Sequence, residues 1–209
     1  IIACNSSKSL SEKISKHIGV PLADASIRTF NDREIFVEIN ENTRGEDVFI
    51  VQSTSHPAND HLMELLITID AARRGSAKRI TAVIPYYGYA RQDKRFSPGE
   101  TISARVISDI LGKVCDGMVI LDLHEPKVLE DCDFPIKFVS SMPEIAERLK
   151  EEVDPDFILS PDKGAIDRAS EVASIGGWEF SYLEKTRIDA HTIEHQAKDL
   201  DVKGKIVAI

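Results

Sequence analysis

Short apolar runs along the chain alternate with segments whose apolar residues recur at three- and four-residue steps. The opening Ile1-Ile2-Ala3-Cys4 is apolar and β-prone, and it meets the polar turn Asn5-Ser6-Ser7. Leu10, Ile14, His17 and Ile18 then mark one helix face. Gly19 stops that helix and Pro21 follows it. Glu34 to Ile39 alternates polar and apolar, as a half-exposed strand does. Asp47 to Gln52 encloses the continuous apolar run Val48 to Val51, the pattern of a strand covered on both faces. An amphipathic helix over His61 to Arg74 ends at Gly75, and Arg79 to Pro85 reads as another buried strand. A helix over Ile102 to Val114 and a strand over Gly117 to His124 complete the series. Strands alternating with helices predict an α/β fold with a parallel sheet.

Lys137 to Ser141 reads as a short connection, after which the pattern restarts. A helix is predicted over Pro143 to Glu152, a strand over Asp156 to Ser160, a helix over Ala165 to Ser174 and a strand over Glu179 to Tyr182. The restart predicts two similar α/β domains, 1–139 and 140–209.

Composition narrows the function. Of the 209 residues, 42% are hydrophobic and 29% are charged, which excludes a disordered chain. No apolar run approaches the roughly 20 residues that span a bilayer. The net charge of −9 disfavours nucleic acid as a partner, because that needs a dominant basic face. The three cysteines, Cys4, Cys115 and Cys132, show no CxxC spacing and read as apolar fillers in a reducing compartment. No leader pattern precedes the first strand, so a cytoplasmic location is expected.

Ligands of open α/β sheets bind at the carboxyl ends of the strands. After the strand at 79–85 comes Tyr86-Tyr87-Gly88-Tyr89-Ala90-Arg91-Gln92-Asp93-Lys94-Arg95. Residues 91–95 set three cations against one acid in an otherwise acidic chain, which suits phosphoryl groups. A solvated basic loop is the plainer reading. Asp122 and His124, two apart at the end of the next strand, suit a metal, a proton transfer or a turn-stabilising hydrogen bond equally well. Asp162 stands at a strand end before a helix, where it caps the helix or binds Mg²⁺. Glu184-Lys185-Thr186-Arg187 puts cations at a further strand end, or forms a salt-bridged turn. Neither GxGxxG nor GxxxxGK[ST] occurs, so an ordinary Rossmann dehydrogenase and a P-loop kinase are disfavoured.

Segments FNDREIFVEI (30–39), RGEDVFIVQST (44–54), NDHLMELLITIDAARR (59–74), RITAVIPYYGYARQDKR (79–95), VILDLH (119–124), SPDKG (160–164) and EKTRI (184–188) run in order through the chain. With them the chain resembles the ribose-phosphate pyrophosphokinase family, also called phosphoribosyl pyrophosphate synthetases. The resemblance implies two phosphoribosyltransferase-like domains. It implies transfer of the β,γ-diphosphoryl group of ATP to the C1 hydroxyl of ribose 5-phosphate, with Mg²⁺ as cofactor. It places Phe30, Asp32 and Glu34 on an adenine-binding loop that reaches a neighbouring subunit, and Arg91, Gln92, Asp93 and Lys94 on the ATP-binding stretch. It assigns His124 to Mg-ATP, Asp162 to a Mg²⁺ site near the ribose, and Lys185 and Arg187 to a catalytic loop. A homodimer, or a hexamer of dimers, is implied too.

Two departures set further expectations. Glu125-Pro126-Lys127-Val128 replaces the common bacterial Gln-rich segment and is closer to the archaeal pattern, which bears on regulation by ADP and phosphate. The family's ribose-phosphate loop would follow a strand like Ile206 to Ile209. The second domain is therefore expected to be incomplete, with a residue or two also missing before Ile1 and no activity, or at best poor activity, in this form. The alternatives are a non-catalytic regulatory subunit, disfavoured by Lys185, Arg187, His124 and Asp162, and a related phosphoribosyltransferase, disfavoured by the ATP-side segments at 30–34 and 91–95.

Overall fold

A computed structural model describes residues 1–187, 193–196 and 202–209, with the backbone alone at 184–187 and 193–196. The chain divides into two compact units, Ile1–Val139 and Ser140–Ile209.

The first unit runs β1 (Ile2–Ala3), α1 (Lys8–Ile18), β2 (Ala25–Thr29), β3 (Ile35–Ile39), β4 (Asp47–Val51), α2 (Ala58–Arg74), β5 (Arg79–Ile84), α3 (Ser103–Val114), β6 (Gly117–Leu121) and β7 (Ile136–Val139). Five of its strands form a parallel sheet in the order β1-β4-β5-β6-β7. Ile80, Ala82 and Ile84 alternate into the core, where they meet Ile50, Leu65, Ile69, Leu111, Met118 and Ile120. The sheet is less evenly covered than its apolar runs suggest. Asp47 and Phe49 of β4 remain exposed, while Val48 and Ile50 are buried.

Four expectations change. Ala25–Thr29 is a strand, and it pairs antiparallel with β3 in a sheet of its own. Residues 136–139 are β7, parallel to β6, rather than a plain connection. Helix α2 begins three residues before His61, at Ala58 after Pro57. Strand β6 stops at Leu121, because Asp122 takes a left-handed φ of 47°. Strand alternation therefore does not set Asp122 and His124 on one face.

In α1 the predicted apolar stripe is only partly used. Leu10 and Ile18 stay exposed, while Ser7 and Ser11 are buried. Ser7 Oγ accepts the Ser53 N–H at 2.8 Å, and Ser11 Oγ donates to the Ser7 carbonyl at 2.8 Å. Small hydroxyl side chains bring the start of this helix close to the sheet and satisfy the backbone there.

The second unit runs α4 (Met142–Glu152), β8 (Phe157–Ser160), α5 (Ile166–Gly176), β9 (Glu179–Tyr182), β10 (Glu184–Arg187), β11 (Ile193–Gln196) and β12 (Val207–Ala208). Its parallel sheet has the order β12-β8-β9, and β10 pairs antiparallel with β11. Met142, Ala146, Ile158, Val172 and Ala173 form its core. No helix among the described residues is long and apolar enough to cross a membrane.

Candidate functional site

Because the five strands of the first unit's larger sheet run parallel, their carboxyl ends share one edge. Buried Glu64 of α2 organises part of it. Its carboxylate accepts the Asn5 backbone N–H at 2.6 Å, Asn5 Nδ2 at 2.9 Å and Gln52 Nε2 at 3.1 Å. Gln52 Nε2 also donates to the His61 carbonyl at 3.2 Å, and Ser6 Oγ donates to the Ser53 carbonyl at 2.7 Å. No buried side-chain nitrogen or oxygen among the described residues lacks a partner. A buried carboxylate without a cation is tolerable only when N–H donors surround it this way. Nearby, burial pushes the Cys4 thiol up to about 12, which makes it an inert core group.

The loop after β5 is rooted at this edge. The Thr54 N–H donates to the Tyr86 carbonyl at 2.8 Å, and the Gly88 N–H donates to Thr54 Oγ1 at 2.7 Å. A Cβ at Gly88 would lie 2.3 Å from the Thr54 carbonyl oxygen, so only glycine fits. Tyr87 is buried, with its hydroxyl donating to the Ala104 carbonyl at 3.0 Å. Burial raises its phenol above the usual range. Tyr89 has a φ of 63°, and its hydroxyl donates to Asn59 Oδ1.

Beyond this root the predicted ATP residues sit in graded exposure. Gln92 is half-buried and ties the loop to α3. Its Oε1 accepts Ser103 Oγ at 2.9 Å, and its carbonyl accepts the Ala104 N–H at 3.3 Å. Among the described residues the Gln92 amide NH₂ makes no hydrogen bond. Asp93 is half-buried, and Arg91 and Lys94 are exposed. Lys94 Nζ lies 5.4 Å from the Phe96 ring centroid. Among the described residues Arg91 forms no ion pair, so its charge is available to an anion.

Phe30, Asp32 and Glu34 lie on the loop between β2 and β3. The Phe30 N–H donates to the Glu34 carbonyl at 2.8 Å, and the Glu34 N–H donates to Asp32 Oδ1 at 3.1 Å. Arg33, with φ 75°, pairs with Asp60 at 2.8 Å. Asp32, Arg33, Glu34 and Ile35 face Asn59, Asp60, Met63 and Ile67 across a groove of about 500 Å³. Asn59 therefore belongs to this groove and also holds Tyr89. Asn59, Asp60 and Met63 line this groove, and sequence reasoning did not single them out. The usable signal was the polar first turn of α2 directly after Pro57.

His124 is exposed, just past the turn in which the Asp122 N–H donates to the Val139 carbonyl at 2.9 Å. Asp162 belongs to the second unit. It caps the short 3₁₀ turn Lys163–Ala165, its Oδ1 accepting the N–H groups of Gly164 at 2.9 Å and Ala165 at 3.2 Å. The capping reading of Asp162 is thus observed, and the bonds fix the direction of its carboxylate. Lys185 and Arg187 stand on β10, directly after β9, and their side chains lie outside the described residues. Asp162 follows β8 and Lys185 follows β9, so both come from the carboxyl edge of one parallel sheet. Among the described residues no three His, Cys, Asp or Glu side chains cluster as a protein-built metal cage would.

Comparison with known proteins supplies the family. The model of the N-terminal domain of ribose phosphate pyrophosphokinase matches residues 1–114. A ribose-phosphate pyrophosphokinase of Agrobacterium fabrum is 50% identical over 208 residues, covering 98% of this chain and 67% of that protein. One from Granulibacter bethesdensis is 43% identical with the same coverage. The crystal structure of phosphoribosylpyrophosphate synthetase from Mycobacterium smegmatis superposes with a TM-score of 0.86 at 37% identity, over 99% of this chain and 68% of that one. With identity this high along nearly its whole length, and with the same fold, the chain belongs to the ribose-phosphate pyrophosphokinase family.

Proposed function

We propose that the residues above divide the work of the family's reaction, the transfer of the β,γ-diphosphoryl group of ATP to the C1 hydroxyl of ribose 5-phosphate. The chain is a transferase of nucleotide biosynthesis, and the proposal concerns which side chains act. The observation that carries it is the cationic loop at the carboxyl edge of the parallel sheet, rooted through Thr54 and Gly88 and ending in Arg91 and Lys94.

Attack at the β-phosphorus makes AMP the leaving group, and negative charge grows on the bridging and non-bridging oxygens. Such a reaction needs position and charge more than covalent chemistry. Arg91 and Lys94 hold the phosphates, Gln92 donates its amide N–H, and Asp93 lies beside them on the same stretch. Phe30, Asp32 and Glu34 take the adenine, with the Phe30 ring as the stacking surface. Lys185 and Arg187 neutralise the charge that develops on transfer. The loop at 30–34 serves a neighbouring subunit, in a homodimer or a hexamer of dimers. The enzyme works in the cytoplasm.

The residues fit Mg²⁺ in one particular way. Mg²⁺ is bound by few carboxylates, by substrate phosphates and by water, not by a protein cage. The fixed carboxylate of Asp162 suits it as an oxygen ligand. His124, an exposed imidazole, suits the phosphates or a metal-bound water better than the ion itself. When bound, Mg²⁺ supplies charge neutralisation on the diphosphoryl oxygens.

The test is AMP release. AMP should form from ATP only when ribose 5-phosphate and Mg²⁺ are both present. A folded protein that includes the ribose-phosphate loop and still releases none overturns the assignment. Lys185→Ala should lower turnover by orders of magnitude with little change in ATP affinity. An unchanged rate would remove Lys185 from the catalytic set.

A further inference from the structure

The solvent face of the β2–β3 hairpin carries an arrangement that the division of roles above leaves unused. Ala25, Ile27 and Ile39 turn to the other face and pack on the core of the first unit. Strand alternation therefore sends Arg28, and Phe36 opposite it in the register, outward. Phe30 is the next residue on that face. The Arg28 guanidinium carbon lies 4.4 Å from the Phe36 ring centroid and 5.4 Å from that of Phe30. The two rings meet edge to face, with centroids 6.0 Å apart and planes at 70°. Among the described residues Arg28 forms no ion pair, so the rings are its contacts.

A ring on an exposed loop would ordinarily sample several rotamers, and a ligand stacking on it would have to freeze them. Here a planar cation holds the Phe30 ring from one side and the Phe36 ring holds it from another. Both contacts are favourable for their quadrupoles. Phe30 nevertheless keeps 45% of its surface open. We propose that Arg28 is a positioning residue that holds the Phe30 ring, before ATP arrives, in the orientation whose open face receives the adenine. The proposal rests on Phe30 being the stacking surface. Its benefit is lower ordering cost on binding, so it acts on ATP affinity and not on the transfer step. Lysine replaces it poorly, because a compact, strongly hydrated ammonium packs against aromatic rings less well than a planar guanidinium.

A double-mutant cycle in steady-state kinetics tests this, with wild type, Arg28→Ala, Phe30→Ala and the double variant. Direct titration of ATP without ribose 5-phosphate and melting curves accompany it. Arg28→Ala is expected to raise the KM and Kd for ATP about two- to fivefold, the range of an exposed cation–π contact. The kcat, the KM for ribose 5-phosphate and the melting temperature should hold. Arg28→Lys should fall between, and Arg28→Ala should add nothing once Phe30 is alanine. An ATP affinity unchanged in Arg28→Ala overturns the proposal. So does an equal effect in both backgrounds, or a loss spread over kcat, both KM values and melting temperature. If Phe30→Ala itself leaves ATP affinity unchanged, the stacking assignment of Phe30 fails first and Arg28 falls with it.

Discussion

The carboxyl edge of the parallel sheet and the β2–β3 hairpin both carry residues of the proposed ATP site, yet they hold them by different physics. At the edge the contacts are polar and buried or part-buried. Glu64 collects three N–H donors, and Thr54 locks against Tyr86 and Gly88. On the hairpin they are exposed: a cation over two rings and the Arg33–Asp60 ion pair. A buried donor left without its partner loses its full solvation, whereas water replaces an exposed contact. The edge is therefore expected to be stiff and intolerant of substitution, and the hairpin adjustable.

The largest expected effect is at Glu64. Glu64→Ala removes the acceptor of buried Gln52 Nε2 and of the part-buried Asn5 N–H and Nδ2, at about 2–4 kcal/mol together. Urea unfolding reads this directly, and a cost below about 1 kcal/mol would erase the distinction between the two regions. Next comes Gly88→Ala, where the new methyl meets the Thr54 carbonyl at 2.3 Å. We expect about 1–3 kcal/mol of destabilisation, and a raised KM for ATP as the loop at 86–95 shifts. Stability and KM both at wild-type values would show that the root does not position the loop. The smallest effect belongs to Arg33→Ala. Arg33 is 76% exposed in its ion pair, so its removal should cost about 0–1 kcal/mol. A cost as large as that at Glu64 would mean the hairpin loop is held as rigidly as the edge.

The same contrast explains what the sequence made legible. Strands β4, β5 and β6 announce themselves through their apolar residues, all of which except Phe49 are buried or half-buried. Strand β2 does not, since Ser26, Arg28 and Thr29 are exposed and only Ala25 and Ile27 face inward. Strand β7 hid in the same way, four residues long with Lys137 and Val139 exposed. The first turn of α2 hid because Asn59, Asp60 and His61 carry no apolar period. The end of β6 could not be read at all. Leu123 is apolar and buried like the residues of β6 before it, and that continuity hides the left-handed turn at Asp122.

At the site, composition exposed the cationic loop, and the family's motifs supplied the residue roles. The bonds that hold the loop, Thr54 to Gly88 and Tyr89 to Asn59, join residues thirty or more positions apart. Pairings of that span leave no periodic trace. Asp162 was ambiguous between cap and metal ligand for a physical reason: the cap uses Oδ1 for both of its bonds, so the two roles are not exclusive.

The strand orders carry a consequence for how the chain is made. All five strands of the first parallel sheet lie within Ile1–Val139, so that unit can close as soon as its last strand leaves the ribosome. The second sheet waits longer, since β8 at Phe157–Ser160 receives β12 only when Val207 and Ala208 have been synthesised. At the usual pace of elongation, about 5–20 residues per second, that interval lasts seconds. Through it Phe157 and Ile158 present an open strand edge, which makes the nascent second unit the stage at which chaperones have most to protect.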